Sequence, residues 1–112
     1  MKQVLAIIRP QAVETVKDAL HDIGVEGLTV TEVQGCGRQK GYTDHFRMST
    51  ITVNLLPKAE VSVVVPDEKL KMVLEVIQDS ARTGEIGDGK IFVTNLVASI
   101  RIRTRETGDA AL

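Results

Sequence analysis

The stretch KQVLAIIRPQAVETVKDALHDIG, residues 2–24, sets a strand, a break and a helix in immediate succession. Lys2–Arg9 is a continuous apolar run that suits a central strand. Pro10 fits the first turn of the following helix, where its missing N–H costs little. Val13, Val16, Leu20 and Ile23 recur at helical spacing on one face, and Gly24 stops the helix. Beyond it, Leu28–Gln34 alternates Leu28, Val30, Glu32 and Gln34 against Thr29, Thr31 and Val33, as a second strand does.

The second half repeats this order. Val61–Val65 is a β-branched run, and Pro66-Asp67 opens a helix with Asp67 as its expected N-cap. Leu70, Val73, Val76 and Ile77 make that helix's buried face, and Thr83-Gly84 ends it. Lys90–Val97 reads as the next strand and Ser99–Thr104 as a short further one. Strand–helix–strand twice over predicts an α+β fold, a ferredoxin-like double βαβ sandwich with an antiparallel sheet, in a single domain over residues 1–112. The two halves match in pattern and share little residue identity. Between the second and third strands lies Gly35–Pro57, a connection long enough to be functional. Its stretch Met48–Leu56 is expected to extend the flanking strands as a hairpin arm, with a polar tip at Lys40–Arg47.

Composition narrows the partners. A formal net charge of −1 and a pI near 6.1 argue against a nucleic-acid binder driven by bulk charge. Tyr42, Phe46 and Phe92 are the only aromatics, too few for a base-stacking platform. Cys36 is the only cysteine, so no intrachain disulfide forms and a reducing compartment is the simple inference. The apolar run Val4–Ile8 is too short for a signal-peptide core, and no window approaches a bilayer span. These features predict a cytoplasmic protein with no membrane insertion of its own.

The segment with the sharpest chemistry is Thr83-Gly84-Glu85-Ile86-Gly87-Asp88-Gly89-Lys90. Closely spaced glycines let successive backbone N–H groups converge, and such nests bind anions; Lys90 adds a cation. Gly84…Gly89-Lys90 satisfies the GxxxxGK part of a Walker A motif. However, Ile91 stands where Ser or Thr would hold magnesium, and the order is helix–loop–strand. The alternative is an ordinary glycine turn. Arg101 and Arg103 alternate along Ile100–Ile102, so as strand residues both would leave one face, offering two planar forks to phosphate oxygens. The alternative there is pairing with Glu or Asp. Gly35-Cys36-Gly37-Arg38-Gln39-Lys40-Gly41 is a second glycine-rich stretch, with Arg38 and Lys40 suited to phosphates and Gln39 offering an oxygen to a metal. His21 and His45, with one cysteine, form no structural zinc spacing.

At these motifs the chain resembles the PII signal-transduction family, the nitrogen-regulatory proteins of bacteria, archaea and plastids. The likeness runs through Ala6-Ile7-Ile8-Arg9-Pro10, Gly35-x-Gly37-Arg38-Gln39-Lys40-Gly41, Leu56-Pro57-Lys58, Ala81-Arg82-Thr83-Gly84, Gly87-Asp88-Gly89-Lys90-Ile91-Phe92-Val93 and Ile100-Arg101-Ile102-Arg103-Thr104. It implies a homotrimer that binds ATP or ADP in clefts between subunits. Gly35, Gly37, Arg38, Gly87, Asp88, Gly89 and Lys90 would line one side, with Ile7 and Gln39 beside the nucleotide. Arg101 and Arg103 of the neighbouring subunit would reach the phosphates, and Thr29 and Val64 match positions near the adenine. Family members also bind 2-oxoglutarate beside Mg-ATP. Gln39 matches the side chain that completes Mg2+ coordination, Lys58 the one that pairs with a 2-oxoglutarate carboxylate, and Arg9 and Lys40 nearby positions.

The resemblance further implies a protruding T-loop at about residues 37–57, a B-loop at about 82–90 and a C-terminal loop at about 101–112. Through the T-loop, with Tyr42, Arg47 and Ser49 as expected partner contacts, a transporter or metabolic enzyme would be controlled, and a transporter partner would recruit the protein to the membrane. The chain departs from the family at two positions, Ile51 and Ser62. Ile51 replaces a tyrosine that some members have uridylylated, so that modification is expected to be absent. Ser49 matches a position phosphorylated in some cyanobacterial members, with an ordinary exposed serine as the alternative. Ser62 stands where the family places a glutamate near the nucleotide, which bears on the choice between ATP and ADP. The expected class is a non-enzymatic sensor, the alternative being a nucleotide-sensing regulator of a non-ammonium transporter without a 2-oxoglutarate response. A slow ATPase lacks a clear general base here, and an RNA-binding ferredoxin-like domain lacks the strand aromatics.

Overall fold

The computed structural model of the chain describes residues 1–37 and 55–112. Strand β1 (Lys2–Ile8) passes through a 3-10 turn at Pro10–Ala12 into helix α1 (Val13–Asp22), and β2 (Thr29–Gly35) follows. Strand β3 (Leu56–Val65) leads through a 3-10 turn at Asp67–Lys69 into α2 (Leu70–Ala81) and then β4 (Lys90–Asn95). The four strands form one sheet in the order β2-β3-β1-β4, each neighbouring pair antiparallel. This is the ferredoxin-like order that two βαβ units predict.

The apolar run of β1 lies at the centre of the sheet, hydrogen-bonded to β3 on one side and β4 on the other. Its alternate residues Val4, Ala6 and Ile8 are buried with Ala59, Val61, Val63 and Val65 of β3, as the period of two requires. Against them pack Val16 and Leu20 from α1 and Val73, Ile77 and Ala81 from α2. Val76, expected in the buried face, is only partly buried and flanks this core.

The opposite sheet face has no covering layer among the described residues. Leu5 stands between Phe92 and Ser62, with Thr29 beyond, and Ile7 stands between Lys90 and Glu60, with Thr31 beyond. Gln3 donates to the Ser62 hydroxyl at 3.2 Å across this face. Phe92 is 51% exposed, and the segment after β4 exposes Val97 at 97% and Ile102 at 93%.

Several expectations need correction. Ser99–Thr104 is not a strand. Only Ile100 pairs, in a single bridge to Thr107. The Arg105 N–H donates to the Arg101 carbonyl at 2.7 Å and reverses the chain. The Ile-Arg alternation there has no neighbouring strand to bind, and the Thr104 and Glu106 side chains satisfy local groups instead. Asp67 makes no side-chain cap to α2; its carboxylate accepts from the Met1 amino group at 2.9 Å. Strand β3 begins at Leu56 rather than Val61, because β2 pairs with Leu56–Glu60 and β1 pairs with Ala59 and Glu60. β4 stops at Asn95, and α2 stops at Ala81, where Arg82 turns to extended backbone.

Candidate functional site

The turn between α2 and β4 is built around one carboxylate. Asp88 accepts the backbone N–H of Thr83 and of Gly84, each at 2.8 Å, together with the Thr83 hydroxyl and Nε of Arg9 at 3.3 Å. These bonds, the Thr83 hydroxyl foremost, hold the Asp88 carboxyl well below the usual carboxylate range, against an opposing cost of lost water. The anion nest expected from the glycines is therefore partly filled by the chain's own aspartate, and Asp88 anchors the turn.

Two cations reach across from other strands to fix the same turn. Arg9, just past β1, donates from Nη2 to the Ile86 carbonyl at 2.9 Å. Lys58 of β3 donates from Nζ to the Gly87 carbonyl at 2.8 Å. Loss of water, and then the neighbouring Arg9, push the Lys58 ammonium below its ordinary value. These two carbonyls have a further effect. In a trans peptide the N–H points opposite to the C=O, so the N–H groups of Gly87 and Asp88 point away from Arg9 and Lys58. Neither has a hydrogen-bond partner among the described residues. Unpartnered backbone N–H groups in a glycine-rich turn can receive anions.

Gly89 closes the turn against the sheet. Its φ is +105°, and a Cβ there would lie 1.7 Å from the Ile7 carbonyl oxygen. Only glycine lets the chain pass this close to β1. Lys90 follows at the start of β4, exposed and on the open face of the sheet opposite Ile7.

The predicted site residues thus fall into two groups. Ile7, Arg9, Gly35, Lys58 and Gly87–Lys90 lie at one end of the sheet, where Gly35 pairs with Leu56 and Lys58 with Val33. Gly37 lies just past the β2 end, and it is exposed. Thr29 lies six residue steps from Gly35, roughly 20 Å along β2. There it faces Ser62, and a groove brings Thr29, Ser62, Val64, Arg101 and the last residues of the chain together. Arg103 is exposed on the loop beyond β4. Arg38, Gln39, Lys40, Tyr42, Arg47 and Ser49, with the expected hairpin arm as far as Asn54, lie outside the described residues.

The paired forks expected at Arg101 and Arg103 are not formed. The Arg101 guanidinium turns onto Glu106, at 3.4 Å, and onto the main-chain oxygen of Leu112 at 3.1 Å. Sequence reasoning allowed for an acid partner but did not single out Glu106. It placed Thr83 and Ile86 in the turn but did not foresee the bond of the Thr83 hydroxyl to Asp88 or of Arg9 to the Ile86 carbonyl. An aspartate lodged among glycines, with an arginine just past the first strand, is the signal that points to them.

The family model for nitrogen regulatory protein P-II matches residues 1–106 of this chain. The chain is 52% identical over 108 residues to a nitrogen regulatory protein P-II of Rhizobium meliloti, covering 96% of each. It is 50% identical over 112 residues to the nitrogen regulatory protein GlnK of Escherichia coli, and 48% identical over 112 residues to a nitrogen regulatory protein P-II of Azospirillum brasilense, in both cases along the full length of each chain. No helix among the described residues is long and apolar enough to cross a membrane. With its ferredoxin-like sheet order and a match over nearly its whole length, the chain belongs to the nitrogen regulatory protein P-II family.

Proposed function

We propose that this protein is a PII-type regulator that binds ATP or ADP in clefts between copies of the chain, and 2-oxoglutarate beside Mg-ATP. It controls a transporter or metabolic enzyme through the segment at about residues 37–57. The observation that carries the reading is the 83–90 turn. Asp88, Arg9 and Lys58 hold it with the Gly87 and Asp88 N–H groups turned from those cations and without a partner among the described residues, and Lys90 follows in sequence. Such preorganised donors suit phosphate oxygens.

The need for more than one copy is supported by the separation of the two groups of residues. The phosphate-suited turn and the Thr29, Val64 and Arg101 groove lie toward opposite ends of the strands. A head-to-tail contact between copies sets one group against the other, and a rotation that closes makes a ring. The open sheet face, with Leu5 and half-exposed Phe92, offers apolar surface to cover in that contact. Light scattering is expected to give the mass of a trimer, and a monomer at micromolar concentration would remove the cleft.

Calorimetry with ATP and with ADP tests the nucleotide reading, and no heat with either would overturn it. Arg103→Ala is expected to weaken ATP by about 1.5–3 kcal/mol, the contribution of a hydrogen bond to a charged group. Gln39→Ala is expected to abolish 2-oxoglutarate binding in the presence of Mg-ATP while sparing ADP; equal loss of both would refute a magnesium role for Gln39. The function as a sensor, rather than an ATPase, predicts negligible turnover of Mg-ATP. Ligand pull-downs with ADP, ATP, and ATP plus 2-oxoglutarate would identify the controlled partner by what is released.

A further inference from the structure

The segment Gly108–Leu112 folds back onto Arg101. Its base is fixed to the loop after β4. The Gly108 N–H donates to the Ser99 carbonyl at 3.1 Å, and the Ser99 hydroxyl donates to the Gly108 carbonyl at 2.8 Å. From there Gly108–Ala111 makes a 3-10 turn, and the Leu112 N–H donates to the Asp109 carbonyl at 3.1 Å. Beyond Gly108, the hydrogen bonds that tie the segment to the other described residues all come from Arg101. Its Nη2 donates to the main-chain oxygen of Leu112 at 3.1 Å and of Ala111 at 3.5 Å. Asp109, Ala111 and Leu112 line the same groove as Thr29, Val64 and Arg101, a cavity of about 780 Å³.

Only the guanidinium of Arg101 is free to change partners. The Arg101 N–H donates to the Glu106 carbonyl at 2.9 Å and the Arg101 carbonyl accepts the Arg105 N–H at 2.7 Å, so the backbone is fixed whatever the side chain does. The partners of the guanidinium are modest. Leu112 and Ala111 offer neutral oxygens, and Glu106, at 3.4 Å, makes an exposed pair that water screens. An ionised oxygen in close contact makes a bond about twice as strong as a neutral one.

We propose that Gly108–Leu112 is an autoinhibitory strap: its main-chain oxygens hold the Arg101 guanidinium in the ligand-free protein, and a nucleotide entering the groove displaces them and releases the strap. This rests on the nucleotide reading above and adds how the groove is regulated. The apparent affinity is then the intrinsic one scaled by the fraction of molecules in which Arg101 is free. The test is calorimetric titration of ATP into the full chain and into a chain ended after Gly108, which keeps both Ser99–Gly108 bonds. The shortened chain is expected to bind ATP about fivefold to tenfold tighter. Equal or weaker binding would overturn the strap and leave the nucleotide reading standing. Asp109→Asn in the full chain removes the strap's charge and keeps its main-chain oxygens, so its ATP affinity should stay within about twofold of the parent protein. A gain as large as that of the shortened chain would assign the effect to charge and overturn the strap. A second measurement needs no altered chain and decides the matter should the shortened one fail to fold. Hydrogen exchange across residues 108–112 of the parent protein is expected to speed up when ATP is added. Slower or unchanged exchange would mean that the segment stays in place over the ligand, and would overturn the strap. Absence of ATP binding by the parent protein would overturn the nucleotide reading itself, and the strap with it.

Discussion

Gly89→Ala is expected to destabilise the protein by about 3–5 kcal/mol, at the upper end of single substitutions. An added Cβ would stand 1.7 Å from the Ile7 carbonyl oxygen, 2.8 Å from the Ile7 carbonyl carbon and 3.2 Å from the Ile8 Cα. All three atoms belong to the backbone of β1, which is hydrogen-bonded on both sides and cannot step aside as a flexible side chain does. The φ of +105° adds a second penalty that no movement of β1 relieves. Set against a total stability of about 5–15 kcal/mol, the loss is large. Denaturant unfolding at matched protein concentration measures it, since assembly makes stability concentration-dependent. Gly27→Ala is the control. A Cβ at Gly27 meets nothing within 4 Å, so the change should stay within about 1 kcal/mol. Equal midpoints for the two variants would mean that the close approach of the turn to β1 does not hold in solution.

What the sequence made legible follows from how local each signal is. β1, α1 and α2 carry their own periodicity, and Val4, Val16, Leu20, Val73 and Ile77 are buried where that pattern puts them. The first half of β3 has no such pattern. Leu56-Pro57-Lys58-Ala59-Glu60 becomes a strand because Glu60 lies between Ile7 and Thr31, and Ala59 between Ile8 and Glu32. Those partners are far off in sequence. The error at Ser99–Thr104 has the opposite cause. Ile100-Arg101-Ile102-Arg103 alternates as a strand does, but alternation alone supplies no neighbour to pair with.

The site divides in the same way. Gly87, Gly89 and Lys90 declare an anion-suited turn from composition alone, and the turn forms. Who holds it is a tertiary fact. Arg9 reaches Asp88 across 79 residues and Lys58 reaches Gly87 across 29. The resemblance implies that Arg9 and Lys58 serve 2-oxoglutarate. Arginine has five donors and lysine three, so both can brace the turn and still meet a carboxylate. A ligand that draws on these cations and a phosphate that binds the Gly87 and Asp88 N–H groups would then act on one turn.

That shared anchor makes Asp88→Ala the most informative change to the site. It removes the acceptor of two N–H groups, a hydroxyl and a guanidinium at once, and leaves Arg9 without its carboxylate. With the turn released, the Gly87 and Asp88 N–H groups lose their preset direction, and ATP affinity is expected to fall by about a hundredfold or more. Asp88→Asn, which keeps the shape and loses the charge, should fall less. The pH dependence separates this anchoring role from direct ligand contact. The Asp88 carboxyl is held below its ordinary value in the folded protein, so its contribution to stability is fully present above about pH 4, the unfolded value. It is lost as pH falls further toward the folded value. The gap in melting temperature between the parent protein and Asp88→Ala, both without ligand, should therefore be constant from about pH 5 to 8 and narrow below about pH 4. Because Asp67, also held low by its bond to the Met1 amino group, is present in both proteins, it drops out of the difference. No gap at pH 7 without ligand, joined to lost ATP affinity, would make Asp88 a ligand contact and not the anchor of the turn.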